Sequence, residues 1–511
     1  MSDRTRTENS ILNTTLSTGI YIVNTVVAFI SRMIFVRVLS DSYLGLNSLF
    51  SNIFSVLSIV ELGVGNSIIY YLYKPVHEKD EREIAAVMRL AKKIYICLGV
   101  FVAVGGLIVA VFLGKIAGDT GDISENIYIM YIIYLAGVVS GYFFSYKTLI
   151  LTAHQKVYAV TGLNYLVIAV QNVVQIILLL AFKSYFLYII VIVGGTIVYN
   201  LLINIIANKK YPYLKLYKNE KPHGFSTSEL LKSFKGLIVY KFSDICVNNT
   251  DSIMISVFRG LSQTGKATNY SLFVTTLNAM IGQVLKSITP SIGDMNVEKS
   301  KEEQFSFFNS IYLLNFWVYS WAAIGLAFVS SDAVSLLYGS QYVMDIKIPV
   351  VLALSFFIAG LQNPIVIYKE TRGIFSKGQY VLLFTAALNI IGDIVLGKYF
   401  GILGIFAATI IARLLTVSWY EPYIIFKNAF GKKPFGYYLK YISSLIILFI
   451  EGAICYFICS KINFSPIINI ILKVIICTVI PNLCILFFKN KPEFAQIENV
   501  FKRLLSIVKR K

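Results

Sequence analysis

About fourteen stretches of the chain are long and apolar enough to cross a lipid bilayer, and this constrains everything else the sequence can do. A spanning helix needs about 20 mostly apolar residues. In hydrocarbon no water satisfies the backbone, so each N–H and C=O must be bonded within its own segment, which runs of this length achieve as α-helices. The expected spans are 14–36, 44–71, 94–114, 126–150, 157–181, 184–207, 236–258, 268–290, 307–330, 347–368, 378–398, 401–426, 436–459 and 465–488. Composition agrees. Of 511 residues 57% are hydrophobic and 14% charged, against about 25% charged in soluble domains. The fold class is all-α: a polytopic membrane protein of about fourteen transmembrane helices.

An even number of spans puts both termini on one side. With the N-terminus inside, the inner segments take most of the 46 Lys and Arg. Dense groups lie at 74–93, 209–235 and 489–511. The outer loops keep only Arg37, Lys115, Lys183, Arg259, Lys266, Lys347, Lys398 and Lys461. This is the positive-inside asymmetry, and it fixes N-in/C-in. The net charge of +19 then faces anionic lipid headgroups. No basic stretch carries a nucleic-acid motif, so no nucleic-acid partner is expected. Arg4 and Arg6 precede an apolar run to about residue 36, longer than the about 7–15 residues of a signal-peptide core, so this segment is read as a span.

The chain repeats itself. Ser48-Leu49-Phe50 recurs as Ser271-Leu272-Phe273, and Arg37 as Arg259, at an offset of about 220 residues. Pro75 and Pro290 stand at a similar spacing. The expected organisation is a six-helix bundle (1–208), a cytoplasmic linker with a short amphipathic helix (209–235), a second six-helix bundle (236–430), two further helices (431–488) and a basic amphipathic tail (489–511). Repeats of even helix number are parallel, related by an axis along the membrane normal, a plan common in transporters. Ser226 with Glu229 forms a capping box at the start of the seventh span. In the tail, Phe494, Ile497, Phe501, Leu504, Leu505 and Val508 share a helical face beside Lys and Arg, a pattern suited to the inner leaflet.

Charge inside a span costs about 2.5–3.5 kcal/mol near its centre on insertion scales, so such residues face water or a partner. The seventh span is the sharpest case. At 100° per residue, Lys241, Asp244, Asn248 and Asp251 share a face about 80° wide. They are expected to line a water-filled cavity between the halves; pairing of Lys241 with Asp244 at i, i+3 would explain two of the four. In the first span Ser17, Asn24 and Ser31 align beside Arg32, which either faces the cavity or snorkels to the outer surface. Arg32 and Lys241 suit a phosphate or pyrophosphate. Glu61, just before Gly63 and Gly65 that allow close helix packing, could bind a proton or pair with Arg32. Asp393 with Arg413, and Glu451 with Lys473, could pair across neighbouring helices; Glu421 is a further coupling or structural charge.

Three His and six Cys in apolar stretches give no metal-ligand pattern. No phosphate-binding loop, GxSxG or HExxH occurs. A non-enzymatic protein without cofactors is expected, driven by an ion gradient, the membrane potential or downhill flow of substrate.

One resemblance follows from particular residues. Tyr43 to Gly65 reads Tyr-Leu-Gly-Leu-Asn-Ser-Leu-Phe-Ser-Asn-Ile-Phe-Ser-Val-Leu-Ser-Ile-Val-Glu-Leu-Gly-Val-Gly and runs into Tyr73-Lys-Pro. It resembles the second helix of bacterial polysaccharide flippases, members of the multidrug/oligosaccharidyl-lipid/polysaccharide (MOP) exporter superfamily. Asn249-Thr-Asp-Ser-Ile-Met-Ile-Ser-Val-Phe-Arg-Gly-Leu, with Gly265 and Asn269-Tyr270, resembles their seventh helix. The resemblance covers nearly the whole chain. It implies transfer of an undecaprenyl-pyrophosphate-linked oligosaccharide across the cytoplasmic membrane by alternating access, with Arg32 and Lys241 meeting the pyrophosphate. It also implies polymerase or assembly proteins as partners, and a lipid-tail groove at helices 13 and 14, as in lipid II flippases. Other readings are a drug/cation antiporter of the same superfamily, a lipid II flippase, a non-transporting scaffold, and a membrane glycosyltransferase. The antiporter predicts an acidic cavity and twelve helices. The scaffold needs no polar stripe, and no long loop carries the paired acids of the transferase.

Overall fold

A computed structural model describes residues 25–217, 220, 227–372, 374, 377–462 and 464–498, with backbone alone at some positions, Lys241, Asp244 and Asn248 among them. No strand occurs among the described residues. The chain forms two compact units, Met1–Gly265 and Lys266–Lys511.

The first unit holds α1 (25–38), α2 (Asp41–Leu57), α3 (Ile59–Glu78), α4 (Glu81–Ala117), α5 (Ile127–Ser145), α6 (Lys147–Ala153), α7 (Val157–Phe182), α8 (Tyr185–Lys210), α9 (Tyr213–Leu216) and the first part of α10 (Thr227–Glu298). Helix starts are fixed by side-chain caps. Asp80 accepts from the Arg82 and Glu83 amides at 3.1 and 3.0 Å, and Asn126 from the Tyr128 amide at 2.9 Å. Such caps satisfy amides that have no partner within the helix. α5 packs between α4 and α8, and α3 against α4 and α6.

The second unit holds the rest of α10, then α11 (Lys301–Tyr338), α12 (Lys347–Gly360), α13 (Asn363–Thr371), α14 (Gln379–Phe400), α15 (Ile402–Leu415), α16 (Val417–Ile425), α17 (Phe435–Cys459) and α18 (Pro466–Ile485). Ser300 and Glu303 make a full capping box at the head of α11. α11 is central, packing on α12, α17 and α18. An aromatic cluster of Phe308, Tyr368, Phe426, Phe430 and Tyr437 closes one end of this core.

Every expected span overlaps a described helix. Ten helices among the described residues are long and apolar enough to cross a membrane by length and composition. Their outward faces are apolar: Val111 is 76% and Phe449 62% exposed. A continuous exposed surface of this kind suits hydrocarbon, not water, and the chain is a multi-pass α-helical membrane protein. The expected spans outside those ten are 14–36, 44–71, 236–258 and 268–290, the first two and the seventh and eighth. The second is divided at Ser58, between α2 and α3. The eighth carries Thr268, Asn269, Thr275, Thr276 and Asn278. Residues 14–24 of the first lie outside the described residues, and the seventh carries Lys241, Asp244 and Asp251.

The sequence assigns 236–258 to the second bundle. In the structure this segment packs within the first unit. Ser256 Oγ donates to the Ala117 carbonyl at 3.0 Å, Ser262 Oγ to Asp41 Oδ2 at 2.9 Å, and the Leu261 amide to the Asp119 carbonyl at 2.9 Å. The backbones touch here. A Cβ on Gly45 would lie 1.9 Å from the Leu261 carbonyl oxygen, and one on Gly265 2.0 Å from that of Asp41. Gly260 breaks α10 at φ 79° and ψ 174°, a conformation open only to glycine.

The tail begins as a helix over 492–498 that packs on the protein. Ile497 is buried, and Gln496 bonds to both Ser306 and Ser310. The rest of the tail, and the Ser226–Glu229 capping box, lie outside the described residues.

Candidate functional site

Interruptions in membrane helices free backbone groups that must be satisfied again, and they collect polar side chains. Three such interruptions carry polar groups, each within its own unit: Ser58 in the first, and in the second the turn at Leu361–Gln362 and Thr416, whose backbone leaves the helix at φ −128° and ψ −89°.

In the first unit, Glu61 lies one turn past the Ser58 break. It lines a cavity of about 290 Å³ with Ser58, Tyr134, Gly141, Tyr142 and Thr196. Tyr142 and Tyr95 are its phenolic neighbours. The Tyr95 hydroxyl would stand 3.2 Å from a Cβ on Gly65, so glycine there keeps the ring against α3. Arg32, on α1, is partly buried near Tyr188. Asp251 is partly buried on α10, whose backbone is helical through 241–251. Lys241, Asp244, Asn248 and Asp251 therefore occupy one helix face. The side chains of the first three, and Asn24, lie outside the described residues.

In the second unit a buried polar network runs through the two helix breaks. Gln362 Nε2 donates to Ser418 Oγ at 3.2 Å, while Arg413 Nη1 reaches Gln362 Oε1 at 3.4 Å. Thr416 Oγ1 meets Thr385 Oγ1 at 2.7 Å and donates to the Ala412 carbonyl at 2.5 Å. Asp393, wholly buried on α14, accepts from Asn389 Nδ2 at 3.3 Å, and that amide also donates to Thr409 Oγ1 at 3.0 Å. The Asn389 amide nitrogen thus holds the Asp393 carboxyl on one side and the Thr409 hydroxyl on the other; a buried carboxyl of this kind is a group that can exchange a proton. Among the described residues no group of three His, Cys, Asp or Glu could hold a metal ion.

Other charged residues have specific partners. Glu421 on α16 binds Lys369 Nζ at 2.6 Å, with side chains 5% and 2% exposed. The sequence places Lys369 in a loop just past a span ending at 368; α13 instead continues to Thr371 and carries it inside. The expected Glu451–Lys473 pair is replaced by two contacts to α11. Lys473 binds Asp332 Oδ2 at 2.6 Å, and Glu451 accepts from Ser320 Oγ. Asp332 was missed because the expected span ends at 330, whereas α11 runs to Tyr338. Part of the Asp393 group was present in the sequence as Asn389 at i−4 on the same face, whereas Thr409 comes from the next helix.

A separate groove of about 420 Å³ in the second unit is almost wholly apolar. It is walled by Ala323, Ala327 and Phe328 of α11, Val350 and Leu354 of α12, and Leu448, Phe449 and Gly452 of α17. With Glu451 and Lys473 engaged by α11, neither charge enters it.

No protein-family model matches the sequence, and no curated protein matches it. Solved structures do. A lipid II flippase, MurJ, in an inward closed conformation superposes with a TM-score of 0.69 over 93% of this chain and 99% of its own, at 14% identity. An inward-facing multidrug resistance MATE transporter of the MOP superfamily gives 0.58 over 78% and 93%, at 13% identity. A MOP superfamily transporter from Pyrococcus furiosus gives 0.53 over 79% and 92%, at 12% identity. The chain shares the fold of these transporters.

Proposed function

We propose that this protein is a MOP-superfamily transporter of the flippase type, a carrier and not an enzyme. It moves an undecaprenyl-pyrophosphate-linked oligosaccharide from the inner to the outer leaflet of the cytoplasmic membrane by alternating access. The observation that carries the reading is the extent of the shared fold: the lipid II flippase covers 93% of this chain and the multidrug transporter 78%. Two features add chemistry. The apolar groove along α11, α12 and α17 suits a polyprenyl chain, whose burial is favourable by about 0.8 kcal/mol per CH₂. Arg32 and Lys241 are cations that suit a pyrophosphate, and Asp244, Asn248, Asp251 and Asn24 add polar groups for sugar. Glu61 and Asp393 are the carboxylates placed to take up a coupling proton or cation. Polysaccharide polymerase and assembly proteins are the partners this role calls for.

The second reading is lipid II itself as cargo, favoured by the flippase of the same fold. A single assay separates them. Purified protein in vesicles is given a lipid-linked oligosaccharide, lipid II or a cationic drug, and transfer is read by accessibility to an external enzyme. Arg32→Ala and Lys241→Ala should each abolish transfer of the lipid-linked cargo, and stop surface polysaccharide in cells, with protein levels unchanged. Normal polymer in both variants, or transport of the cationic drug alone, would sink the proposal.

A further inference from the structure

One cavity of the first unit, on the face that the charge asymmetry assigns to the cytoplasm, is cationic in a way that helix packing does not explain. It measures about 570 Å³ and is formed by the head of α4, the α5–α6 junction, the end of α8 and α9. Arg89, Lys92, Lys93, Lys147 and Lys215 line it, and no Asp or Glu is among its lining residues. Lys147 is the anchor. It is only 7% exposed; its Nζ donates to Asn208 Oδ1 at 2.8 Å, and Asn208 Nδ2 donates to Asn204 Oδ1 at 3.0 Å. These amides aim the ammonium but do not neutralise it. Lys92 and Lys215 are near enough to repel it. Burying an unneutralised charge costs several kcal/mol.

The neighbouring cavity shows that this is not simply a basic surface. It is larger, about 670 Å³, and mixes Lys74 and Arg82 with Glu78, Asp80, Glu83 and Glu220. There the cations are compensated within the protein, as by Lys74 and Glu78 at 3.9 Å. Close to the cationic cavity the shortage of acid continues. Lys156, in the turn before α7, is pushed down to about 8, first by partial burial and then by Lys210 beside it.

We propose that this cavity is a binding site for a phosphoryl group, separate from the transport path, with Lys147 and Asn208 at its floor and Arg89, Lys92, Lys93 and Lys215 around it. Several convergent cations and an amide donor match the non-bridging oxygens of a phosphoryl group, phosphodiester or terminal phosphate, better than a single carboxylate. The volume lies within the about 300–1,000 Å³ usual for ligand sites. The walls include Ile96 and Phe143, which suits the headgroup of an anionic lipid as well as a soluble phosphate. The group supplies the counter-charge that the fold omits, and by joining α4, α6, α8 and α9 it stabilises that end of the unit.

The test uses the full-length protein in neutral detergent at constant ionic strength. Thermal unfolding is followed while phosphatidylglycerol, phosphatidylcholine or inorganic pyrophosphate is titrated. Phosphatidylglycerol or pyrophosphate should raise the midpoint by several degrees, and phosphatidylcholine should not. Lys147→Gln should weaken the apparent affinity about tenfold or more, close to the 1.4 kcal/mol of one lost charge-assisted contact. Should that variant misfold, Arg89→Gln and Lys92→Gln, at the rim, carry the same expectation, with Lys398→Gln as a charge-matched control. A response to phosphatidylglycerol alone identifies a lipid headgroup; a response to pyrophosphate identifies a soluble ligand. No shift, or equal shifts in wild type and every cavity variant, overturns the site. Neither result depends on what the transporter carries.

Discussion

At the scale of single residues the Lys369–Glu421 pair is the most consequential contact outside the candidate site. Both side chains are nearly inaccessible and their charged atoms are 2.6 Å apart. Losing one partner strands the other charge in a low-dielectric interior, which costs about 3–5 kcal/mol, whereas replacing both by apolar residues of similar volume is close to neutral. Lys369→Ala should therefore lower the thermal midpoint steeply. Lys369→Met combined with Glu421→Leu should restore most of it, as measured by fluorescence-detected size exclusion after heating. A single variant as stable as wild type would remove the pair from the structural core. This pair also shows what the sequence could yield. Glu421 stands inside an apolar run and was visible as a charge needing a partner. Lys369 was not, because hydropathy falls where a lysine enters and so closes the span one residue early. Asp332 was lost for the same reason. Sequence alone cannot tell a charge that ends a helix from one that continues it toward a distant partner.

At the scale of elements, the spans were readable because each apolar run is long enough to cross a bilayer, and ten of them recur as spanning helices among the described residues. Their interruptions were not. Neither Ser58 nor Thr416 is a proline or glycine, so no residue type marks the break, though Thr416 meets Thr385 on α14 there. The glycine contacts are similar. Gly45 and Gly265 stood in recognisable motifs, yet only the fold shows what they meet. A side chain at Gly45 would drive into the Leu261 carbonyl, and relief requires moving backbone, not a flexible side-chain tip. Overpacking of this kind costs about 1–3 kcal/mol. Gly45→Val should displace α10 at its Gly260 break and lower the thermal midpoint together with the proposed transfer. A Gly45→Val protein with wild-type midpoint and full transport would mean that the helices separate freely there.

At the scale of the whole molecule, composition and loop charge carried the argument. The membrane-embedded, all-helical architecture was legible from the first apolar runs. The division of the chain was less so: the first unit extends to Gly265, well beyond the 209–235 linker that the repeat suggested. Hydropathy measures each segment alone, while unit membership depends on partners such as Ala117 and Asp41. The orientation is testable in the intact protein. A fluorescent protein fused at the C-terminus should be bright and alkaline phosphatase at the same point inactive, while phosphatase inserted within 339–346 should be active. The reverse pattern would overturn the charge-based orientation.

The glycine contacts have one more consequence. A contact made by bare peptide atoms orders no rotamers when it forms and frees none when it breaks. Side chains in the same place would each pay up to about 2 kcal/mol of entropy on ordering. The junction of Gly45 on Leu261 and Gly265 on Asp41, inside the first unit, is thus held by backbone shape alone and owes its tightness to no side-chain order.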